Sequence, residues 1–419
     1  MKRQGQDQEL RIFGMAAEKG RWGLVLLGMI LNLCLGSIYS WSVFVGPLAD
    51  YFTKTLHQQV NPGDLLMPFS VFLACFALAM PLTGKYLDRF GPRLIIITGG
   101  LLTGTGWLLA SMAGSVQMLT VMYGVIGGLG VGIAYGAPVA VAARWFPERR
   151  GLAVGLVLLG FGFSAFLTAN LSGMLITESG VMETFRIFGV VFVILTVLLA
   201  LPQRFPPVGW KPSGWEPPLC SSKVQACEYT LPEMVKTRAF YGLWICYFIG
   251  CLSGLMAISI AKPVGTEMAQ ISPVLATALV GVFAIFNGGG RPVFGLLSDR
   301  ITVRTVAMVS FVLITGASLM IFLSPSALIY IISFAVLWGC LGGWLAIAPT
   351  ATAGYFGTSD YPRCYGIVFL AYGAGAIAGP QLAGYIKGVS GSYLGVFPVV
   401  AVLAVLGLII TFLMVRPPE

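Results

Sequence analysis

Apolar residues dominate the chain in long blocks, and short polar stretches separate one block from the next. Several blocks exceed 18 residues, which is long enough for a helix to cross a hydrocarbon core about 30 Å thick. Twelve blocks fit this description, so the pattern predicts an all-α membrane protein with twelve transmembrane helices. The predicted spans are Trp22–Val45, Leu65–Thr83, Leu94–Ala113, Gln117–Ala143, Leu152–Ile176, Met182–Leu201, Phe240–Ala261, Val274–Leu297, Val303–Leu323, Ala327–Ala353, Tyr365–Ile386 and Tyr393–Val415.

An internal repeat and one long polar stretch divide the chain. Residues 202–237 contain seven prolines and separate the first six spans from the last six. A four-residue pattern recurs at an offset of 211 residues: Gly84, Asp88, Arg89 and Arg93 return as Gly295, Asp299, Arg300 and Arg304. Internal repeats are typical of secondary transporters. We therefore expect two pseudo-symmetric six-helix halves, residues 1–201 and 238–419, joined by a linker at 202–237.

The linker carries several local signals of its own. Residues 230–233, Thr-Leu-Pro-Glu, fit a helix-capping box with proline in the first turn, so a short helix is predicted before the seventh span. Trp210 and Trp215 are expected to anchor at the membrane interface. Cys220 and Cys227 share the linker, and we expect free thiols there rather than a disulfide or a metal site.

The composition agrees with a membrane protein. Of 419 residues, 57% are hydrophobic and 10% are charged, whereas soluble domains contain about 25% charged residues. Residues 1–19 are polar and lack the apolar core of a cleavable signal peptide, so the first apolar run is expected to be retained as a span.

The basic residues show how the chain is oriented. Twenty of the 25 Lys and Arg residues fall at the two ends of the chain or in alternate loops, and four (Lys54, Arg186, Lys262 and Lys387) fall on the other side. Positive residues favour the cytoplasmic side, so both termini are expected to be cytoplasmic and the chain to lie in the cell membrane. Because the net charge of +9 is spread over short loops, it does not indicate nucleic-acid binding.

Arg291 is the remaining basic residue and the only charge between Pro273 and Leu297. It precedes Asp299 by eight residues, which places it about 12 Å from the membrane face, near mid-depth. A charge at that depth is costly and usually functional. Its guanidinium is suited to a carboxylate, and Asn287, one turn earlier, projects from the same side of the helix. The alternative is an arginine that extends to the interface.

The loop motifs resemble those of a known family. Residues 84–93, Gly-Lys-Tyr-Leu-Asp-Arg-Phe-Gly-Pro-Arg, resemble the loop signature between spans two and three of the major facilitator superfamily. Three further segments, residues 144–151, 39–41 and 287–295, resemble the corresponding motifs of one branch of this superfamily. That branch includes the oxalate/formate antiporter and the monocarboxylate porters. The resemblance covers the whole chain and implies alternating access, in which two halves rock about a central site. It also implies a cytoplasmic gate formed by Asp88, Arg89, Arg93, Asp299 and Arg300; the alternative is that these charges only set topology.

Further site residues follow from this resemblance. Tyr135 and Tyr372 lie about 13 Å from the inner face, on helices that line the cavity in the superfamily. Asn32 and Tyr39 share one stripe of span one, with Tyr39 expected nearer the outer mouth. A phenol can donate a hydrogen bond to a carboxylate, although helix packing explains each tyrosine equally well.

Three departures from relatives narrow the expected chemistry. Tyr372 occupies the place of a second buried lysine in the oxalate/formate antiporter, so one cation should favour a monoanion over oxalate. Val43 and Asn287 occupy places where animal monocarboxylate transporters carry a lysine and an aspartate, which puts their proton-coupling scheme in doubt. We expect no Asp, Glu or His in the apolar interior of any span. A proton would then have to bind the substrate, or Asp50, Glu178 or Glu267 near the outer mouth.

The sequence as a whole predicts a secondary transporter for small monocarboxylates such as lactate or pyruvate, proton-linked by analogy with the family. The alternative is an organic-anion exchanger without proton coupling. An enzyme is not expected, because the spans show no catalytic triad, acid pair or metal-ligand cluster. The glycines near 127–132 lie within a long apolar helix, so neither a nucleotide loop nor any cofactor is expected. The chain is expected to act as a monomer.

Overall fold

A computed structural model describes residues 10–61, 63–207, 209–213, 229–357 and 360–418. Within its helices, the side chains of five residues are not described: Gly84, Lys85, Arg150, Asp299 and Pro362. Trp215, Cys220 and Cys227 lie outside the described residues, so the expectations for them stay predictions.

Twelve described helices are long and apolar enough to cross a membrane. Spans 1 to 12 are Ala17–Ser40, Leu66–Thr83, Tyr86–Ala110, Val116–Trp145, Gly151–Ser179, Val181–Ala200, Arg238–Glu267, Pro273–Ser298, Val303–Leu323, Ala327–Phe356, Arg363–Ser390 and Val396–Met414. Each overlaps one of the predicted spans, which confirms the prediction of twelve transmembrane helices. Because successive crossings alternate in direction, both chain ends share one membrane face with the segments that follow spans 2, 4, 6, 8 and 10. We call this the basic face.

Several spans depart from a regular α-helix. Span 1 is α-helical over Ala17–Leu35 and tightens to a 3₁₀-helix over Gly36–Ser40, and the chain continues as an α-helix over Ser42–Asp50 and a π-helix over Tyr51–Thr55. Span 4 is α-helical over Val116–Leu119 and Gly128–Trp145, with a π-helix at Thr120–Gly127 between them. Spans 2 and 3 are two helices within the continuous stretch Leu66–Ala110, and the backbone between them leaves helical geometry at Gly91, where φ is +75°.

The other described helices are one short 3₁₀-helix and nine α-helices. They are Pro147–Arg149 (3₁₀), Arg150–Ser179, Val181–Ala200, Leu231–Met234, Arg238–Glu267, Pro273–Arg300, Val303–Leu323, Ala327–Phe356, Tyr361–Ser390 and Val396–Met414. Before span 1, strands Arg11–Ile12 and Met15–Ala16 pair in an antiparallel hairpin.

The predicted capping box is confirmed at Leu231–Met234. The hydroxyl and the backbone N–H of Thr230 both donate to the Glu233 carboxylate, at 2.7 and 2.8 Å. These bonds favour the ionised carboxylate and lower the pKa of Glu233 below its ordinary value. The same short helix also contacts the segment just before span 11, because the backbone N–H of Leu231 donates to the Asp360 carboxylate at 3.1 Å.

Glycines in span 4 allow it to pack against span 2. A Cβ atom at Gly128 would lie 2.3 Å from the carbonyl oxygen of Phe72, and one at Gly132 would lie 2.6 Å from that of Phe76. The two backbones are therefore in direct contact, as small residues permit between membrane helices. This packing accounts for the glycine pattern without a nucleotide loop.

Trp210, at the start of the linker, packs against side chains of spans 1 and 4. Its ring packs against Trp145, with centroids 4.8 Å apart, and the Arg21 guanidinium lies 5.5 Å from it. Arg21 is itself buried and forms an ion pair with Glu148 at 2.6 Å. Trp210 thus connects the start of the linker to spans 1 and 4, and its anchoring at the membrane interface stays a prediction.

Two helix pairs make the most extensive contacts between the first six and the last six spans. Spans 2 and 11 are close near both membrane faces, where Pro81 meets Gly366 and Gly63 meets Gly384. Spans 5 and 8 are in contact at Gly162 and at Gly173, which faces Thr277. The central contact between spans 5 and 8 brings Arg291 against the other half of the bundle.

Candidate functional site

Arg291 is buried between spans 5 and 8, with 8% of its surface exposed. Its Nη1 donates to the backbone carbonyl of Leu158 at 2.8 Å, while Nε and Nη2 are buried without a hydrogen-bond partner. Among the described residues, no carboxylate lies within ion-pair distance of this guanidinium. The side chain therefore neither extends to the interface nor pairs with a described acid, and it retains donors for an anionic ligand.

Asn287 supplies a second polar group beside the arginine. Its Nδ2 donates to the carbonyl of Trp338 at 3.2 Å, and its Oδ1 is buried without a partner. A Cβ atom at Gly162 would lie 3.0 Å from this Oδ1 and 3.2 Å from Nε of Arg291. Both side chains therefore point toward span 5, as their spacing of four residues predicts.

The glycines around Arg291 have separate packing roles. Gly288 faces span 5 near Gly162, whereas a Cβ atom at Gly290 would lie 2.2 Å from the carbonyl oxygen of Gly339 in span 10. In the same contact, a Cβ atom at Gly342 would lie 2.0 Å from the carbonyl oxygen of Asn287. Close packing on both sides of span 8 fixes the helix that carries the guanidinium.

Two of the predicted tyrosines meet across the halves. The hydroxyl groups of Tyr39 and Tyr372 are 2.9 Å apart, and both side chains are fully buried. The two hydroxyl groups therefore lie at the same depth, and the expectation that Tyr39 lies nearer the outer mouth stays a prediction.

Tyr135 completes this group on the side of span 4. Both Tyr135 and Tyr39 lie close enough to the Arg291 guanidinium to interact with it electrostatically. The structure thus brings together Arg291, Asn287, Tyr39, Tyr135 and Tyr372 from spans 1, 4, 8 and 11. Asn32 is also fully buried, but neither its Oδ1 nor its Nδ2 has a hydrogen-bond partner among the described residues.

Two phenylalanines that sequence reasoning missed join the tyrosines into one cluster. The Phe161 ring lies 5.1 Å from both Tyr39 and Tyr135, in edge-to-face geometry. The Phe76 ring lies 5.1 Å from Tyr135 and 5.8 Å from Tyr372. These rings provide an apolar wall beside the cation. In a chain with 27 phenylalanines, nothing in the sequence distinguishes these two.

Among the side chains that the structure describes, the predicted gate residues form no ion pair across the halves. Asp88 pairs with Arg144, which belongs to the same half, and Arg89 lies 5.3 Å from the neighbouring ring of Phe90. Arg93 and Arg300 are exposed, and the side chain of Asp299 lies outside the described residues. No ion pair among the described side chains connects the first six spans to the last six.

Hydrogen bonds between the halves occur elsewhere. Besides the contact of Arg291 with Leu158 and the pair Tyr39 and Tyr372, Nε2 of Gln381 donates to the Ser70 hydroxyl at 3.1 Å. Ser70 lies one turn into span 2 from the face opposite the basic face. The polar contacts between the halves are thus at mid-depth or toward that opposite face.

The fold and the sequence both have close matches among known proteins. The chain is 30% identical to the oxalate:formate antiporter of Oxalobacter formigenes, over 86% of this chain and 84% of that protein. It is 26% identical to monocarboxylate transporter 14 of Mus musculus, over 94% and 90%. An inward-facing, unoccupied crystal structure of a bacterial homolog of the human lysosomal transporter Spinster has a similar fold, with a TM-score of 0.70, 15% identity and coverage of 95% and 97%.

A family model confirms the resemblance that the loop motifs indicate. The model of the Major Facilitator Superfamily matches residues 25–264 and 243–419, which together span most of the chain. The matched proteins are transporters and not enzymes. On the strength of this match and of the twelve helices, the chain belongs to the Major Facilitator Superfamily of membrane transporters.

Proposed function

We propose that this transporter moves small monocarboxylates, such as lactate or pyruvate, and that Arg291 holds the carboxylate. One observation carries the proposal: a buried guanidinium at the contact between the halves has two nitrogen atoms, Nε and Nη2, without a partner. A carboxylate accepts two parallel N–H bonds from an arginine. Binding would satisfy these donors and neutralise a charge that is costly to bury.

The surrounding groups favour a small substrate with one charge. Tyr372 contributes a phenol and not a second cation, so Arg291 is the basic residue of the described cluster. The Asn287 Oδ1 could accept a hydrogen bond from a hydroxyl group of the substrate, and the rings of Phe76 and Phe161 could pack on a short alkyl group. The names of the similar proteins, an oxalate:formate antiporter and a monocarboxylate transporter, support the same class of substrate.

Transport in this proposal occurs by alternating access. Residues 1–201 and 238–419 form the two rocking halves, residues 202–237 connect them, and the chain acts as a monomer. The excess of Lys and Arg on the basic face favours a cytoplasmic location for that face and for both termini, in the cell membrane. A gate would form there from Asp88, Arg89, Arg93, Asp299 and Arg300. No described ion pair joins the two halves at this face, which fits a conformation in which the gate is not closed by salt bridges.

Substrate binding would drive closure through a difference in affinity between states. A ligand shifts a conformational equilibrium only if it binds one state more tightly. The contact between Arg291 and the Leu158 carbonyl links the two halves without neutralising the arginine. A bound carboxylate would neutralise Arg291. The closed state would therefore be electrostatically more favourable with substrate than without it.

Transport activity of an arginine variant tests the substrate assignment. Arg291→Ala should abolish uptake of radiolabelled lactate into proteoliposomes, while the purified amount stays comparable to the wild type. Arg186→Ala is the matched control. This exposed arginine pairs with Glu183 within span 6, and none of the cluster residues named above lies on span 6. Normal lactate uptake by Arg291→Ala would reject the proposal.

We further propose that the transport is linked to protons, as the branch resemblance implies. The alternative is exchange of organic anions, and one observation favours it: no described carboxylate contacts Arg291 to carry a proton. An imposed pH gradient separates the two. It should drive lactate accumulation in vesicles that contain no internal anion if protons are coupled, and accumulation that requires an internal anion would support exchange instead.

A further inference from the structure

An apolar groove lies on the outside of the helix bundle, between spans 9 and 12. Its volume is about 570 Å³. Its lining includes Val312, Ile409 and Leu413, each about half exposed or more. The lining of span 9 runs from Thr305 to Leu313, a separation of eight residues, so the groove extends about 12 Å into the membrane from the basic face. A surface of this kind accepts hydrocarbon and offers no polar contact below the rim.

Two arginines converge at the basic-face end of this groove. Nη2 of Arg304, at the start of span 9, donates to the carbonyl of Phe412, and Nη2 of Arg416 donates to the same carbonyl at 3.3 Å. Nε of Arg304 is buried and has no partner. Neither arginine forms an ion pair within the part of the chain that the structure describes.

This arrangement matches one kind of ligand. Two like charges that share a neutral carbonyl repel each other, and an anion between them would remove the repulsion. A phosphate group is well suited to guanidinium donors. The groove directly below adds a place for an acyl chain. A free phosphate would contact only the arginines and leave the groove unfilled. A zwitterionic lipid would place its positively charged group beside the arginines, where like charges repel.

We propose that the end of the groove at Arg304 and Arg416 binds an anionic phospholipid, with the phosphate on the two arginines and one acyl chain between spans 9 and 12. Basic pockets between transmembrane helices commonly select anionic lipid headgroups. This site is separate from the central cluster, and it does not depend on which substrate is transported.

Native mass spectrometry of the full-length protein tests the proposal. The protein is offered phosphatidylglycerol or phosphatidylcholine with identical acyl chains. The wild type should retain phosphatidylglycerol preferentially, and replacing Arg304 and Arg416 by glutamine should weaken its binding about fivefold for each arginine near the membrane surface. Val312→Phe, which fills the groove while both arginines remain, should reduce retention of both lipids.

Two control variants and four contradicting outcomes complete the test. Arg93→Gln, at the repeat position that corresponds to Arg304, should leave lipid retention unchanged, and Arg304→Lys should restore part of the preference. Equal retention of the two lipids by the wild type, or an unchanged preference in the double variant, would overturn the proposal. Inorganic phosphate that binds as tightly as phosphatidylglycerol would also overturn it, since the site would then bind only anions. If the double variant does not fold, unchanged retention by Val312→Phe decides against the groove.

Discussion

At the scale of single residues, Arg291 stands out because its surroundings leave its charge unbalanced. One backbone carbonyl accepts from Nη1, and no described acid is in reach. Isolated charges at membrane depth are rare, and those that occur usually serve substrate or ion movement. The open donors of Arg291 are therefore better explained by a transported anion than by stability.

Tyr372 provides a test of how charge sets the choice of substrate. Tyr372→Lys would place a second cation within the cluster, so we expect a shift in preference from lactate toward a dicarboxylate such as oxalate. The measurement is the ratio of uptake rates for the two substrates. Tyr372→Phe is the control: it removes the bond to Tyr39, worth about 0.5–1.5 kcal/mol, without adding charge. An unchanged ratio in Tyr372→Lys would argue that this position does not face the substrate.

Residues of the site were predictable from the sequence to different degrees. Arg291 was identifiable because a lone charge contrasts with the apolar run around it, and Asn287 followed from helical spacing. Phe161 was not, because a phenylalanine within an apolar span resembles every other packing residue. The carbonyl of Leu158 could not be predicted at all, since a backbone acceptor is common to every residue and only the tertiary fold brings it to the arginine.

At the scale of helices, the contact between spans 5 and 8 positions the arginine. Gly162 allows the two helices to approach closely because it has no side chain. Gly162→Ala would place a Cβ atom 2.9 Å from the Cα atom of Gly288 and 3.2 Å from Nε of Arg291. We expect overpacking that costs about 1–3 kcal/mol and a clear loss of lactate uptake. The measurement is uptake per amount of folded protein in proteoliposomes.

Gly289→Ala is the matched control for this prediction. It changes a neighbouring glycine of span 8, but its Cβ atom would meet nothing within 4 Å. Uptake in this variant should stay close to the wild type. Equal uptake by Gly162→Ala and Gly289→Ala would show that the distance between spans 5 and 8 is not critical.

The presence of each helix was easier to predict than its departures from regular α-helical geometry. Twelve apolar runs gave twelve helices, because a run of about 20 apolar residues has few other stable arrangements in a membrane. The 3₁₀ segment Gly36–Ser40 and the π-helix Thr120–Gly127 were not predicted. A Cβ atom at Gly36 would lie 2.5 Å from the Phe161 carbonyl, so the shape of span 1 there is set together with its contact to span 5.

At the scale of the whole molecule, one close contact between the halves lies at the face opposite the basic face. Gly63 and Gly384 are in backbone contact there, and a Cβ atom at Gly384 would lie 3.0 Å from the carbonyl oxygen of Gly63. We expect Gly384→Val to hinder this closure, so that uptake falls and a cysteine introduced at Ser70 becomes more reactive toward an impermeant thiol reagent. Gly388→Val, at a position with nothing within 4 Å of its Cβ atom, is the control. Unchanged labelling would indicate that this contact does not gate access.

The most direct test of the account is binding to the purified transporter by isothermal titration calorimetry. Lactate and its uncharged amide, lactamide, have nearly the same shape and differ in the carboxylate that Arg291 is proposed to hold. We expect measurable binding of lactate to the wild type, much weaker binding of lactamide, and loss of lactate binding in Arg291→Gln. Equal binding of lactate and lactamide, or undiminished binding of lactate by the variant, would contradict it.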